Sequence, residues 1–401
     1  MKKFLAILFS SLISFNFVNA NTELSQQTAF DATMKEIDLG GLALQYQKLD
    51  NLEATATSLA DLLLMNAANS KIPQFQLELF SKTLHEIIKK ANLNEIKSIG
   101  ASVKQINNST FISKSFILTA DNPQGVLYDA IGRVNRPFNY LNIVPENAIL
   151  AGSSHIDMAV IYNSIYNNYL KNDPMASQYI QLLEMQLGMP FADFMKSLSG
   201  EYAYFATTEI TENNVSLQGL IRIPDNNGNL TKFLKTLLQT EDNIVNLPIR
   251  EADGMVAPIL VFGNKSVIIS TNQIALDQSI KAQDSGKNIR TIAKFAEYGK
   301  YLANNGISQF YLALDDSQVQ LINSLLISNN INEKFEPIYL TTESTVQKNG
   351  YKSIAVSSFN MASIDEMIAL QSAIIQGAIA AQTLQEDADS DDSEDDDFEV
   401  E

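Results

Sequence analysis

The sequence is 401 residues long, contains no cysteine and carries a formal net charge of −18 at pH 7. The lack of cysteine excludes thiol catalysis, cysteine-bound zinc, iron–sulfur clusters and a lipid anchor on cysteine. The acidic balance, with no Arg-rich or Lys-rich patch, argues against binding to nucleic acid or to anionic membrane surfaces.

The N-terminus has the three parts of a secretory signal peptide. Lys2 and Lys3 precede an apolar run, and Val18 and Ala20 occupy the −3 and −1 positions of a cleavage site. The run is shorter than the ~20 residues that a membrane-spanning helix needs. The pattern therefore predicts cleavage between Ala20 and Asn21, with an uncleaved anchor as the alternative. The mature protein is expected to be soluble and exported, in the periplasm or the medium, with no transmembrane segment.

The elements then follow in chain order. Apolar residues at spacings of three and four predict a mostly helical region over residues 21–92. After Leu93, alternating apolar residues predict strands that turn at Asn107-Asn108-Ser109 and at Asn349-Gly350, which are hairpin signals. Most hairpins are followed by a helical pattern. This predicts a strand–turn–helix unit used about six times, because each unit repeats the same order of signals.

Hairpins require antiparallel pairing, so the predicted fold class is α+β, with antiparallel sheets covered by helices. The segment AILAGSSHIDMAVIYNSI matches SQFYLALDDSQVQLINSL at an offset of 160 residues, which indicates an internally repeated architecture. The predicted division is a signal peptide (1–20), a helical N-terminal region (21–92), a first α+β domain or half (93–287), a second half (288–383) and a disordered acidic tail (384–401).

The stretch SSHID places Ser153, His155 and Asp157 close together in the chain and raises the question of a hydrolytic triad. A triad gathers residues from distant elements, with the base within hydrogen-bond reach of the nucleophile. The chain has no G-x-S-x-G elbow. We therefore predict a strand over 148–154 that leads into a helix near Met158, with Asp157 or Ser154 as the helix N-cap.

No catalytic residue, metal ligand or cofactor-binding residue is predicted. The second histidine, His85, lies in an amphipathic helical pattern and is expected to be half-exposed. The acidic run 387–397 lacks the glycine and the glutamate that a calcium-binding EF-hand requires. No zinc motif and no phosphate-binding glycine loop occurs in the chain.

A tyrosine stripe is the one candidate ligand site. Tyr162, Tyr166 and Tyr169 are four and three residues apart, so they share one side of a helix, with Ile165 beside them. Packing against a sheet explains such a stripe. The functional alternative is a groove for an apolar or aromatic ligand, lined by Tyr162, Ile165 and Tyr169.

Several motifs resemble those of uncharacterised exported bacterial proteins that contain a domain of unknown function. In that family a Pro-x-x-Ala strand leads through an Asp-containing turn into a helix, and a Leu-x-Gly-Glu step leads into a hairpin. The matching residues here are Pro145, Ala148, Asp157, Leu198, Gly200 and Glu201, and IDLGG and IKSIGAS are also similar. The resemblance spans residues 37–262. It implies an exported, sheet-rich domain, and it implies no activity and no site residue.

The expected function is that of an exported cell-envelope protein that binds or assembles other molecules without catalysis. The question of an enzyme stays open, because carboxylates that converge only in the fold would make an envelope hydrolase. A carrier of an apolar ligand is the other alternative. The last sixteen residues hold eleven acids and no base, and such a tail suits a basic protein partner.

Overall fold

The computed structural model describes residues 24–68, 74–172, 174–210, 215–247, 258–316, 318–320 and 336–361. The predicted signal peptide, its cleavage site at Ala20 and Asn21, and the predicted acidic tail lie outside the described residues.

The α-helices with defined bounds lie between Leu24 and Tyr298 of the described chain. A π-helical turn, Tyr166–Leu170, follows the fifth of them. The α-helices are α1 Leu24–Met34, α2 Leu52–Ala68, α3 Gln74–Lys90, α4 Val126–Ile131, α5 Met158–Ile165, α6 Pro174–Leu187, α7 Phe191–Ser197, α8 Asn229–Leu238, α9 Gln273–Ser285 and α10 Ala293–Tyr298.

The strands form one large antiparallel sheet and one small one. They are β1 Ala43–Lys48, β2 Ile96–Asn107, β3 Thr110–Thr119, β4 Arg136–Pro137, β5 Ala148–Ile156, β6 Gly200–Ile210, β7 Val215–Pro224, β8 Ile244–Asn246, β9 Ile259–Gly263, β10 Ser266–Ser270, β11 Asn305–Gly306, β12 Ser308–Leu314, β13 Ile338–Gln347 and β14 Gly350–Ser357. The large sheet has twelve strands in the order β1-β2-β3-β14-β13-β12-β5-β6-β7-β10-β9-β8, and β4 pairs with β11 separately.

This architecture confirms the predicted α+β class with antiparallel hairpins and covering helices. The β2–β3 hairpin turns where Asn107 pairs with Thr110, and the β13–β14 hairpin turns where Gln347 pairs with Gly350. The N-terminal region contains one strand that the sequence did not predict, β1. Its six residues, ALQYQK, do not alternate cleanly between apolar and polar, because β1 is an edge strand that is only partly buried.

The strand order has an internal two-fold relation. In chain order the strands fall into two sets of seven, β1–β7 and β8–β14. Each strand of the first set has an equivalent seven positions later, so that β1 corresponds to β8 and β5 to β12. Replacing every strand by its equivalent gives the same strand order read from the other edge. The equivalent strands β5 and β12 pair antiparallel at the centre, with Ala151 opposite Tyr311. These two residues are 160 positions apart, which is the offset of the sequence match. The structure thus has a repeated arrangement, and its origin by duplication stays a prediction.

The two sets of strands are interleaved. Strand β7 pairs with β10, and β14 pairs with β3, so each half of the sheet contains strands from both sets. The stretches 93–287 and 288–383 therefore contribute to a single sheet. The predicted boundaries between them stay a prediction.

The main core lies on one face of the sheet. Tyr311, Ala151, Phe205 and Leu220 stand side by side on four neighbouring strands, and all four are buried. Helices α9 and α10 and the turn Tyr140–Ile143 cover this row. On the opposite face, α8 packs on a separate apolar cluster of β9 and β10.

Helix α1 covers the β2–β3 hairpin near the β1 edge. Gly100 of β2 lies beneath it, and a Cβ atom there would clash with the Thr33 methyl group. The missing side chain lets the helix approach, and Met34 and Ile37 pack on Phe116 and Leu118.

Candidate functional site

A row of polar side chains borders the apolar row on the core face. Two residues further along the strands, Glu343, Gln309, Ser153, Ala203 and Arg222 stand side by side on β13, β12, β5, β6 and β7. All five are buried. Four of the five, all but Ala203, are polar. A buried polar group is costly unless it has a hydrogen-bond partner, so the partners of these four decide whether the row is stable within the fold.

Glu201 holds the loop that covers the row. It lies on β6 opposite His155 and is 5% exposed. Its carboxylate accepts hydrogen bonds from Ser153 Oγ at 2.6 Å and from the backbone N–H groups of Asn139 and Tyr140 at 2.9 Å each. Two of the three donors belong to the covering loop, so Glu201 fixes that loop to the sheet.

Arg222 completes this cluster. Its guanidinium lies 3.2 Å from the centre of the Tyr140 ring, and its Nη1 donates to the Glu201 carbonyl oxygen at 3.0 Å. Burial lowers the pKa of Arg222, while Tyr140 and Glu201 counteract that effect. The cation is thus compensated by a ring and a carbonyl within the fold.

Glu343 has an equivalent role at the other end of the row. Its carboxylate accepts from the Ala303 N–H at 2.7 Å and from the Gln309 side-chain amide at 3.2 Å. Arg290 donates to Gln309 Oε1 at 3.0 Å and to the Phe138 carbonyl at 3.3 Å. Burial raises the pKa of Glu343, and the backbone donors of Ala303 and Asn304 and the charge of Arg290 act in the opposite direction.

The SSHID stretch is a strand-to-helix junction. Strand β5 ends at Ile156, α5 begins at Met158, and the Asp157 carboxylate accepts from the Val160 N–H at 3.1 Å. This confirms the predicted N-cap. Ser153 donates to Glu201, whereas the His155 ring stacks on Phe138 with its Nε2 3.1 Å from the Pro137 carbonyl oxygen. These contacts give Ser153 a carboxylate partner rather than a histidine base.

The two buried carboxylates do not have the geometry of a catalytic acid pair. Glu201 is on β6 and Glu343 on β13, with β5 and β12 between them, so their strands are ~14 Å apart. Glycosidases place their two carboxyl groups roughly 5 to 9.5 Å apart across a substrate. Each carboxylate here accepts from its own backbone donors. The hydrolase alternative therefore gains no support from this pair and stays a prediction.

His85 is a half-exposed residue on α3, as expected for an amphipathic helix. Its Nδ1 lies 2.7 Å from the Ser81 carbonyl oxygen and its Nε2 lies 2.9 Å from Asp61 Oδ1 on α2. Both acceptors need an N–H on the ring, so they favour the imidazolium form. The Ser81 carbonyl and Asp61 accordingly raise the pKa of His85.

The tyrosine stripe is packed against protein where it is described. Tyr162 is buried, with its ring centre 5.2 Å from that of Phe191 and 5.6 Å from that of Tyr166. Ile165 is partly buried at the end of α5, and Tyr169 lies in the π-helical turn, with its side chain outside the described part. The groove for an apolar ligand stays a prediction.

Two helices carry large apolar side chains that point to solvent. On α2, Leu59, Leu62, Leu63 and Met65 are 57–67% exposed, and on α6, Tyr179, Leu182, Leu183 and Met185 are 40–79% exposed. We call these sets the α2 stripe and the α6 stripe. Both have the same spacing, with members at i, i+3, i+4 and i+6. Soluble monomers rarely expose contiguous apolar patches, and such patches mark sites of interaction.

Neither stripe was predicted from the sequence, although both share a pattern that is visible there. L-x-x-L-L-x-M at residues 59–65 and Y-x-x-L-L-x-M at 179–185 share one pattern. The pattern alone predicts a buried helix face. On α2, the face that packs inward includes Ala60, which is buried, so the leucines lie on the outer side.

No protein-family model and no curated protein matches the chain. Among solved structures, thyroxine-binding globulin in complex with thyroxine–fluorescein is 9% identical, over 75% of this chain and 84% of that one, with a TM-score of 0.12. A cleaved viral serpin is 11% identical, over 53% and 81% of the two chains, with a TM-score of 0.10. Similarity at this level carries no argument about the fold or function of this chain.

The described residues contain no group of three or more His, Asp or Glu side chains that could hold a metal ion. Among the helices described, none is long and apolar enough to cross a lipid bilayer.

Proposed function

We propose that this chain is an exported, non-catalytic protein of the cell envelope that binds a partner protein through the α2 and α6 stripes. The observation that carries the proposal is the repeated pattern of exposed apolar side chains on two helices. Export rests on the signal-peptide pattern that ends at Ala20, and it agrees with the resemblance to exported bacterial proteins.

The stripes suit recognition of helices by a groove. Residues at i, i+3 and i+4 form one side of a helix, and partner proteins bind such a side in an apolar groove. Burial of apolar surface contributes roughly 25 cal/mol per Å2 of area removed from water, so several leucines per helix supply a useful part of an affinity. Binding of such a partner to the exposed helices would not require the buried polar row to open.

Charge defines the second property of the partner. Without Lys2 and Lys3 the formal charge falls from −18 to −20, and eleven of the acids lie in the last sixteen residues. Such a field attracts a basic partner and speeds its association. The expected partner is therefore a protein with an apolar groove and a basic surface.

Site-specific photo-crosslinking in intact cells tests the proposal. A photoreactive residue replaces Leu62 or Leu182, and a matched control carries it at Gln181, which is exposed on α6 beside the stripe. We expect one crosslinked product of the same mass from positions 62 and 182, and little from position 181. Equal labelling at all three positions, or none, would contradict the proposed role of the stripes.

Export is tested separately. The mature N-terminus is expected to be Asn21, and the protein is expected in the periplasmic or extracellular fraction. An intact N-terminus in the cytoplasmic fraction would contradict export and would leave the crosslinking result to be judged by itself.

A further inference from the structure

The two edges of the twelve-stranded sheet differ in length. At one edge, β8 has three residues, Ile244–Asn246. At the other edge, all six residues of β1, Ala43–Lys48, pair with β2 without a register shift. Sheets avoid edge-to-edge association by short edge strands, bulges, prolines and charged side chains, lysine in particular. Strand β8 is short. Strand β1 is longer and contains no proline, and its one charged residue, Lys48 at its end, pairs with Asp50 at 3.0 Å.

The outer side of β1 presents an unpaired hydrogen-bonding ladder. The Leu49 N–H donates to the Lys97 carbonyl at 3.0 Å, in register with the β1–β2 pairing. The backbone N–H and C=O groups of the odd-numbered residues of β1 therefore point toward β2. The backbone groups of Leu44, Tyr46 and Lys48 therefore point away from the sheet, since orientation alternates along a strand. No described strand pairs with this side.

Strand β1 is held in place by contacts on its covered face. The Phe30 ring of α1 meets the Tyr46 ring edge to face at 5.0 Å. A buried hydrogen bond of 2.7 Å between Thr33 of α1 and Ser98 of β2 attaches this covering helix to the sheet. An ordered edge costs little further conformational entropy when another strand pairs with it.

Apolar side chains accompany the unpaired ladder. Leu39, Leu42 and Leu44 are 64%, 54% and 50% exposed, in or just before β1. An unpaired backbone ladder is complementary to one kind of occupant, an extended strand.

We propose that β1 pairs antiparallel with β1 of a second copy of this chain, about a two-fold axis at Tyr46. In this register Tyr46 faces its own equivalent, and Leu44 faces Lys48 of the second copy. Aromatic pairs across strands are favourable, and the aliphatic stem of a lysine can cover a leucine. On the other face Gln45 lies opposite Gln47 of the second copy, so no two like charges face each other.

The centre of the molecule provides a precedent for this contact. There, the equivalent strands β5 and β12 pair antiparallel about the internal two-fold axis between Ala151 and Tyr311. The proposed dimer joins two sheets in the same manner and makes one continuous sheet. This inference rests on β1 and is independent of the proposed binding role of the α2 and α6 stripes.

Cysteine substitution tests the register, because the chain has no cysteine of its own. In Tyr46→Cys the two thiols would meet at a hydrogen-bonded pair with Cα atoms ~5.5 Å apart, within the range of a disulfide. In the matched control Leu44→Cys the two Cα atoms would be ~14 Å apart, which is too far. We expect a disulfide-linked dimer under mild oxidation from Tyr46→Cys and not from Leu44→Cys. Equal products from both variants, or none from either, would overturn the proposed register.

Analytical ultracentrifugation of the chain from Asn21 tests the dimer without a disulfide. Leu44→Pro removes an outward N–H and leaves the pairing with β2 intact, whereas Leu44→Thr keeps the N–H and serves as its control. We expect dimers for the unsubstituted chain and Leu44→Thr, and at least a tenfold weaker association for Leu44→Pro. A monomer at all concentrations, a dimer unaffected by proline, or β1 occupied by a strand of a different protein would each overturn the inference.

Discussion

The polar row on the core face and the apolar stripes on α2 and α6 contrast in two ways. The row is polar but buried with hydrogen-bond partners, whereas the stripes are apolar but exposed. Glu343 in the polar row and Glu201 at its border are buried, and each accepts hydrogen bonds from backbone N–H groups of a covering loop. In the stripes, the leucines of α2 and α6 are exposed. The buried polar groups thus have their hydrogen-bond partners within the fold, whereas the apolar side chains of the stripes lie in solvent.

Glu201→Ala is expected to lower the stability of the fold more than the other substitutions. This change leaves the N–H groups of Asn139 and Tyr140 and the Ser153 hydroxyl without their acceptor in a buried place. We expect a loss of about 3 to 5 kcal/mol in the free energy of unfolding, measured in urea. Glu201→Gln keeps one acceptor oxygen and should cost less. A loss below about 1 kcal/mol for Glu201→Ala would contradict the loop-fixing role.

Glu343→Gln should alter the pH dependence of stability. Burial raises the pKa of Glu343 above its ordinary value of 4.5, so the folded state binds a proton more readily than the unfolded state. The stability from this group is present below pH 4.5 and is lost as pH rises through the raised pKa. Unfolding midpoints measured from pH 4 upward should fall more steeply for the unsubstituted chain than for Glu343→Gln. Parallel curves would contradict the assignment.

The two histidines should titrate on opposite sides of pH 6.5. Burial lowers the pKa of His155, whereas the Ser81 carbonyl and Asp61 raise that of His85. Consequently the fold loses stability through His155 as pH falls from 6.5 through its lowered pKa. His85 contributes stability below pH 6.5, and this contribution is lost as pH rises through its raised pKa. Ring-proton NMR titration measures both values, and His155→Gln assigns the resonances. Two overlapping titrations at 6.5 would contradict these environments.

The smallest effect on stability is expected from the stripes. Leu62 and Leu182 are at least half exposed, so Leu62→Gln with Leu182→Gln should change the free energy of unfolding by less than about 0.5 kcal/mol per site. The same urea series provides the measurement. A loss of several kcal/mol would show that the stripes belong to the core and would remove the contrast with Glu201.

The sequence predicted those features that depend on neighbours along the chain. Asp157 as an N-cap and the Asn349-Gly350 turn are of this local kind. The offset of 160 residues is a long-range feature, and it was visible because the two similar segments form the equivalent strands β5 and β12, which place Ala151 opposite Tyr311. The contacts of the polar row could not be predicted from the sequence, because Ser153 and Glu201 are 48 residues apart and meet only through the register of β5 and β6. The exposure of the stripes could not be predicted for a different reason. An apolar pattern predicts that one face of a helix is apolar, but only the fold shows whether another element covers that face.

Native mass spectrometry of the chain from Asn21, purified gently from its own cells, measures whether a partner protein binds through the stripes. We predict an additional mass of polypeptide size on the unsubstituted chain and on Glu343→Gln, and its loss from Leu62→Glu with Leu182→Glu. Pairing through β1 would appear separately, as twice the chain mass. A bound mass of metabolite or lipid size, or a polypeptide retained by the double variant, would contradict binding through the α2 and α6 stripes.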